Sequence, residues 1–82
     1  MTTAADLTFI AERLGNEATA EDAQMVANLA AEIAQEQGDE EFELIDWLSN
    51  RTYDWTELWE AANGNAAALV KVRTEAGLAA FA

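Results

Sequence analysis

The fold of this chain is decided by the stretch from Thr19 to Gly38, which reads TAEDAQMVANLAAEIAQEQG. Thr19 offers a capping hydroxyl, and two acids follow in the first turn, where carboxylates meet the positive end of a helix dipole. The apolar residues then recur at helical spacing and cover a wide arc, leaving a narrow polar stripe. The stretch therefore predicts a long, largely buried helix over residues 20–37. Its expected buried arc comprises Met25, Val26, Leu29, Ala30, Ile33 and Ala34.

Shorter helices are predicted on both sides of this element, because capping residues and glycines bracket each further apolar period. We expect a first helix over 4–14 after Thr3, a third over 40–49 after Asp39, a fourth from Asp54 to Asn63-Gly64, and a fifth from Asn65 to about Gly77. The chain contains no proline and no strand-like alternation. The fold class is therefore all-α, a compact bundle of four to five short helices that forms a single acidic domain over 1–82.

The composition argues against catalysis and against dedicated metal binding. The 82 residues include no cysteine and no histidine, which removes thiol nucleophiles, disulfides, the usual zinc sites and the commonest general base. Asp39, Glu41 and Glu43 alternate like the first ligands of a calcium loop, but the sixth and twelfth positions hold Leu44 and Asn50 instead of glycine and glutamate. We expect no enzyme, no cofactor and no metal site, with counterion binding by crowded carboxylates as the alternative.

The net charge of −12 argues against nucleic acid and anionic membranes as direct ligands, because both carry charge of the same sign. The first residues lack a basic region and a long apolar core, and no later segment approaches the length of a membrane span. The sequence therefore predicts a cytoplasmic protein whose natural partners are proteins that themselves bind nucleic acid. Acid-rich, lysine-poor composition is also what a high-salt cytoplasm or GC-rich coding produces, and this remains the alternative explanation of the charge.

The negative charge is concentrated in one part of the chain. From Leu14 to Asn50, 37 consecutive residues include no lysine or arginine and ten acids. Carboxylates three or four positions apart on a helix lie about 5–6 Å from each other, comparable with successive phosphates on a nucleic-acid strand. Helical acids would thus present a phosphate-like row to lysines and arginines. The acids expected to bind a partner are Glu36, Asp39, Glu40, Glu41, Glu43, Asp46, Glu57 and Glu60.

The aromatic residues offer candidate anchors. Trp47 falls among the acids on the outer side of the predicted third helix, and tryptophan contributes strongly to interfaces, so Trp47 joins the expected partner-binding residues. The alternative is that Trp47 covers a neighbouring helix or the loop around Tyr53. Phe9 lies off the apolar stripe of the first helix and is either a second exposed anchor or part of a dimer seam. Trp55 and Trp59 share an apolar face and are expected in the core.

In size, absence of cysteine and sign of charge the chain resembles the small acidic inhibitors that phages and mobile elements use against restriction or CRISPR machinery, some of which imitate the charge of DNA. The resemblance implies a mechanism and assigns no residues, since no motif carries it. The leading hypothesis is a non-enzymatic, nucleic-acid-mimicking inhibitor that blocks the basic surface of a DNA- or RNA-binding protein or ribonucleoprotein. The alternative is a helical regulatory or assembly module that acts through an apolar partner or homodimer seam at Phe9, Trp47 or Phe81, with acidity serving only solubility.

Overall fold

The structure, a computed structural model, describes residues 2–49 and 54–78, and these ranges contain five α-helices and no strand. The helices are α1 (Ala4–Leu14), α2 (Ala20–Glu36), α3 (Leu44–Ser49), α4 (Trp55–Ala62) and α5 (Ala66–Glu75). The prediction of an all-α bundle of four to five short helices is confirmed. The interpretations that involve Tyr53 and Phe81 lie outside the described residues.

Side-chain caps set the start of four of these helices. At α2, the Thr19 hydroxyl accepts a hydrogen bond from the Asp22 amide at 3.2 Å, and the Asp22 carboxylate accepts one from the Thr19 amide at 3.0 Å. This reciprocal box satisfies two backbone donors that a helix otherwise leaves unpaired. The caps expected from the sequence at these four helices are confirmed, and they are Thr3, Thr19, Asp54 and Asn65.

The predicted start of the third helix, at residue 40 after an Asp39 cap, is wrong. The Asp39 carboxylate accepts a hydrogen bond from the Glu41 amide at 3.2 Å, so the side chain closes a local turn instead of starting a helix. Helix α3 begins only at Leu44, where the Glu43 carboxylate accepts a hydrogen bond from the Asp46 amide at 2.9 Å. A six-residue helix is too short to be stable alone, so α3 depends on packing against the bundle.

Helix α2 forms the centre of the molecule and packs against α1, α3 and α4. The expectation that it is the most buried element is confirmed, because it contributes the largest share of the buried residues. These are Ala23, Val26, Ala27, Ala30, Ile33 and Ala34. Met25 and Leu29, which the sequence placed on the buried arc, are only half-buried. The buried arc is rotated toward Ala23 and Ala27, whose small side chains let neighbouring helices approach α2 closely.

The other helices complete one continuous hydrophobic core. Ile10 from α1, Leu58 from α4 and Val72 from α5 are each at most 1% exposed and join the α2 residues. Helix α4 packs on α5, α2 and α1, and the described residues span 31 × 28 × 19 Å. None of the helices in the described ranges is both long enough and apolar enough to cross a membrane.

Candidate protein-interaction surface

The 16 carboxylates of the chain divide into two groups of equal size. Those in the first group accept a hydrogen bond or form an ion pair, and they are Asp6, Asp22, Glu36, Asp39, Glu43, Asp54, Glu57 and Glu60. Those in the second group are exposed and have no such partner within the described part of the chain, and they are Glu12, Glu17, Glu21, Glu32, Glu40, Glu41, Asp46 and Glu75. Half of the carboxylates therefore make no hydrogen bond or ion pair within the described residues.

Two of the acids expected to bind a partner are instead paired with basic residues of α5. The Arg73 guanidinium donates two hydrogen bonds to the Glu36 carboxylate, of which the Nη2–Oε1 bond is 3.0 Å long. This bond holds the pKa of Glu36 below its usual value and raises the pKa of Arg73. Lys71 Nζ lies 3.8 Å from Glu57 Oε1, but the Lys71 side chain is 68% exposed, so that pair is weak. Glu36 in particular is already occupied by a contact within its own chain.

Trp47 is buried, and the prediction that it lies on an outer acidic face is wrong. Its exposure is 4%, its ring packs edge-on against Phe42 with 6.4 Å between centroids, and its indole N–H donates a hydrogen bond to Gln37 Oε1 at 3.1 Å. The alternative interpretation, that Trp47 covers a neighbouring helix, is confirmed. A buried side chain does not reach a partner, so Trp47 contributes to packing within the chain and is not an exposed anchor.

The misplacement of Trp47 follows from the late start of α3. A helix that began at residue 40 would include Phe42 and place it on the face opposite Trp47. Phe42 precedes the helix, and the true inner face of α3 is Leu44, Trp47 and Leu48, which are spaced i, i+3 and i+4. The incorrect helix boundary thus misplaced Trp47, whereas Asp46 lies on the exposed side of α3 as expected.

Phe9 is also engaged within its own chain. The ring is half-buried, its centroid lies 6.4 Å from that of Trp55 in an edge-on arrangement, and the Arg13 guanidinium carbon lies 4.7 Å above its face. The expectation of a free aromatic anchor at Phe9 is wrong. Trp55 and Trp59 are both half-buried; Trp55 packs against the core as expected, whereas Trp59 is not among the described side chains that do so.

The densest negative region is the acidic segment, defined here as residues 39–46 with its five carboxylates. Glu40 and Glu41 lie in the turn between α2 and α3, and Asp46 lies on α3, all three exposed and unpaired within the described residues. The expected helical row through Glu40, Glu43 and Asp46 is wrong, because only Asp46 is helical. The acids remain close together as neighbours along the chain, but without the regular spacing of a helix face.

Two outlying acids are not brought to this segment. Glu57 and Glu60 lie on α4, whose packing partners are α5, α2 and α1, and no described contact joins either of them to the acidic segment. Glu60 Oε2 lies 3.4 Å from Asn65 Nδ2, at the turn into α5. Glu36 does lie near the segment, since it lines a shallow hollow together with Asp39. The surface expected from the sequence is thus reduced to residues 36–46.

Gln37 links three helices through its side-chain amide, and no sequence pattern predicts this role. Its Oε1 accepts the Trp47 indole N–H, and its Nε2 donates to the Ala76 carbonyl at 3.0 Å. The indole can only donate and the carbonyl can only accept, so the two bonds fix the orientation of the amide. Gln37 thereby joins the ends of α2 and α5 to α3, directly beneath the acidic segment. Its partners lie 10 and 39 positions away in sequence, which no local pattern can reveal.

The chemistry available at this surface is that of exposed carboxylates. Among the described residues, no group of three or more acids, histidines or cysteines is placed to hold a metal ion. The Thr19 backbone amide, through its hydrogen bond, holds the pKa of Asp22 below its usual value, as Arg73 does for Glu36, and a lowered pKa keeps both carboxylates ionised. Comparison of the chain with protein-family models, with curated proteins and with solved structures gives no significant match.

Proposed function

We propose that this protein is a non-enzymatic acidic interaction protein that occupies the basic surface of a DNA- or RNA-binding protein, or of a ribonucleoprotein, in competition with nucleic acid. The observation that carries the proposal is the set of eight exposed carboxylates that have no partner in the described structure. The chain has only four basic residues, and two of them, Lys71 and Arg73, are paired with acids of its own. The remaining negative field is available to a cationic partner.

The acidic segment is the proposed contact region. Glu40, Glu41 and Asp46 supply free carboxylates, while Asp39 and Glu43 hold backbone amides within the segment. Those local hydrogen bonds restrict the segment before binding, which lowers the entropy lost on association. Glu36, Glu57 and Glu60 add to the field without being the first contacts. By analogy the mechanism is of the anti-restriction or anti-CRISPR type carried by phages, acting in the cytoplasm.

The first test asks whether nucleic acid and this protein compete for the same surface. The purified protein is immobilised, exposed to a lysate at about 50 mM salt, and then washed either with about 500 mM salt or with duplex DNA or RNA at low salt. The proposal expects that captured proteins are released by both washes. Retention through both washes would show that binding is neither electrostatic nor at a nucleic-acid site, and the proposal would be wrong.

The second test locates the contact with two variants of identical charge. One reverses Glu40, Glu41 and Asp46 to lysine, and the other reverses Glu12, Glu17 and Glu21, which are equally exposed and unpaired in the described structure. We expect the first variant to lose binding to a captured partner and the second to retain most of it, as measured by calorimetry at about 100 mM salt. Equal losses would mean that affinity follows net charge alone and that the acidity serves solubility or a salt-rich cytoplasm.

The apolar seam expected from the sequence loses Trp47 as a free anchor, because Trp47 is buried and bonded to Gln37. Phe9 packs against Trp55 but is only half-buried, so part of its ring can still contact a second subunit. Phe81 lies outside the described residues. Sedimentation of the wild-type protein at low and high salt measures the homodimer directly, and a dimer that persists in high salt would favour the assembly function over the electrostatic one.

A further inference from the structure

A groove lies between helices α2 and α5 and includes no residue of the acidic segment. Helix α2 and helix α5 form its two walls, and the small side chains Ala61 and Ala62 of α4 lie between them. The groove encloses about 310 Å³, at the lower end of the range for binding pockets and enough for one or two side chains. The ion pair between Arg73 and Glu36 joins the two walls and closes one end.

The walls of this groove carry apolar side chains that the bundle leaves partly uncovered. Met25 and Leu29 from α2 face Leu69 from α5, and all three are half-buried. Leu29 and Leu69 also pack against the buried core, whereas Met25 is not among the described side chains that do so. A flexible, polarizable methionine at the open edge of a groove is well suited to an incoming apolar side chain.

The groove carries one net negative charge, because its lining holds two glutamates and one arginine. Met25, Leu29, Glu32 and Glu36 follow one another on α2 at intervals of four, three and four residues, so they share a face about 16 Å long. Arg73 neutralises Glu36, but Glu32 is exposed and has no partner among the described residues. A groove that combines apolar side chains with a carboxylate unpaired among the described residues is complementary to a helix that carries apolar and basic residues on one face.

We infer that this groove receives a basic amphipathic helix of the partner, with an apolar side chain seated between Met25 and Leu69 and a lysine or arginine about two turns along it in contact with Glu32. The inference rests on the proposed function for the basic character of the partner, and on the groove for the apolar contact. Proteins that bind nucleic acid frequently present basic helices, so such an element is available on the class of partner proposed.

The probes are two synthetic helical peptides of about 18 residues, long enough to form a helix on binding. One has leucine at intervals of three and four residues and lysine on the flanking positions, and the other has alanine in place of each leucine, with the same charge. Calorimetry at about 150 mM salt compares them. The groove predicts that the leucine peptide binds at least about tenfold more tightly, whereas a purely electrostatic surface binds both equally.

The decisive variant is Met25→Glu, because it adds negative charge while filling the groove with a carboxylate. Electrostatics alone predicts equal or tighter binding of both peptides, whereas the groove predicts that the preference for leucine is lost. Gln35→Glu adds the same charge at an exposed position of α2 outside the groove and is expected to keep the preference. Circular dichroism verifies that both variants fold. Met25→Ala adds no charge and is also expected to reduce the preference for the leucine peptide.

A second matched pair tests the rim. Glu32→Lys and Glu17→Lys make the same charge change at exposed, unpaired positions, but only Glu32 lines the groove. We expect Glu32→Lys to lower the affinity for the leucine peptide about fivefold more than Glu17→Lys does, because one close ion pair with the peptide is replaced by repulsion. Equal effects of the two reversals would overturn the assignment of Glu32.

Failure of this inference and failure of the proposed function give different results. If the triple reversal of Glu40, Glu41 and Asp46 abolishes competition with nucleic acid while the two peptides bind equally, the proposed function stands and the groove inference is wrong. If the triple reversal leaves competition intact but Met25→Glu removes the preference for leucine, the groove stands and the acidic segment is not the contact region. A wild-type dimer that Met25→Glu converts to monomer, without any preference between the peptides, would assign the groove to a second copy of this chain and overturn the inference.

Discussion

The end of α2 and the acidic segment are separated by a single glycine, yet their polar side chains differ in what they bond to. Glu36 and Gln37 bond to residues as far away as Arg73 and Ala76 and hold three helices together. In the acidic segment, by contrast, Asp39 and Glu43 reach only the backbone two or three residues ahead, and the other three carboxylates are free within the described structure.

Gly38 ends α2 and lets the chain change direction between these two regions. Its φ of +74° lies in the left-handed region that favours glycine, and the chain leaves α2 there without continuing the helix. Glu36 and Gln37, just before the turn, bond to other helices, whereas Glu40, Glu41 and Asp46, after it, face solvent. The lesson is that acidity along this chain is of two kinds, one needed for folding and one available for binding, and that a charge count cannot separate them.

The largest difference in stability is expected between alanine substitutions at the neighbouring residues Trp47 and Asp46. Because Trp47 is 4% exposed and holds α3 on α2, we expect Trp47→Ala to lower the free energy of unfolding by about 3–5 kcal/mol. Asp46 is exposed, so Asp46→Ala should change it by less than about 0.5 kcal/mol. Urea denaturation measures both, and similar small effects of the two substitutions would mean that Trp47 is not part of the core.

A smaller effect is expected at Gln37. The substitution Gln37→Glu keeps the shape of the side chain but replaces the Nε2 donor with an oxygen that faces the Ala76 carbonyl. We expect a loss of about 1–3 kcal/mol in the free energy of unfolding. Gln35→Glu adds the same charge two residues earlier at an exposed position and should lie within about 0.5 kcal/mol of the parent protein. Equal losses in the two variants would attribute the effect to charge and not to the bond.

Within the acidic segment, Glu43 and Glu40 should differ even though both are exposed. The Glu43 carboxylate caps the first turn of α3, so Glu43→Ala is expected to lower the free energy of unfolding by about 1 kcal/mol. Glu40 has no partner in the described structure, and Glu40→Ala is expected to be neutral to about 0.5 kcal/mol stabilising, because it relieves repulsion between like charges. If Glu40→Ala were the more destabilising of the two, the boundary of α3 would be wrong.

The smallest effect is a dependence on pH at Glu36. The pKa of Glu36 is lowered in the folded state, chiefly by the hydrogen bond from Arg73, so its contribution to stability is complete above the ordinary value of 4.5 and is lost as the pH falls through the folded value. Glu36→Gln removes this contribution at all pH values. The difference in thermal midpoint between the parent and Glu36→Gln should therefore shrink below pH 4.5, and a difference that grows in acid would contradict the pairing.

The starts of four of the five helices could be predicted from the sequence because their start signals are local. Thr3, Thr19, Asp54 and Asn65 each bond to a backbone amide within three residues, and such bonds are encoded by neighbouring positions. The third helix was predicted with its correct end at Ser49, but its start could not be, because Asp39 carries the same kind of signal as a helix cap and uses it for a turn. Which of the two forms is chosen depends on how Trp47 and Leu48 dock on α2, and that contact is not local.

The candidate surface could be predicted only in part, for a related reason. The concentration of acids between residues 36 and 46 follows from composition alone. Packing between helices distant in sequence decides the rest. It pairs Glu36 with Arg73, it buries Trp47, and it places Glu57 and Glu60 apart from the acidic segment. The groove beside Met25 could not be predicted either, since the apolar spacing of Met25 and Leu29 is the same for a groove wall as for a buried face.

The all-α class, four of the helix caps and the excess of negative charge follow from the sequence, because each depends on single residues or on spacings within a few positions. The ion pairs of Glu36 with Arg73 and of Glu57 with Lys71 follow only from the packed structure, since they join side chains of different helices, whereas the other six engaged carboxylates bond within five residues along the chain. The tertiary structure placed Arg73 on Glu36 and Gln37 between Trp47 and Ala76, and it left Glu40, Glu41 and Asp46 exposed to solvent.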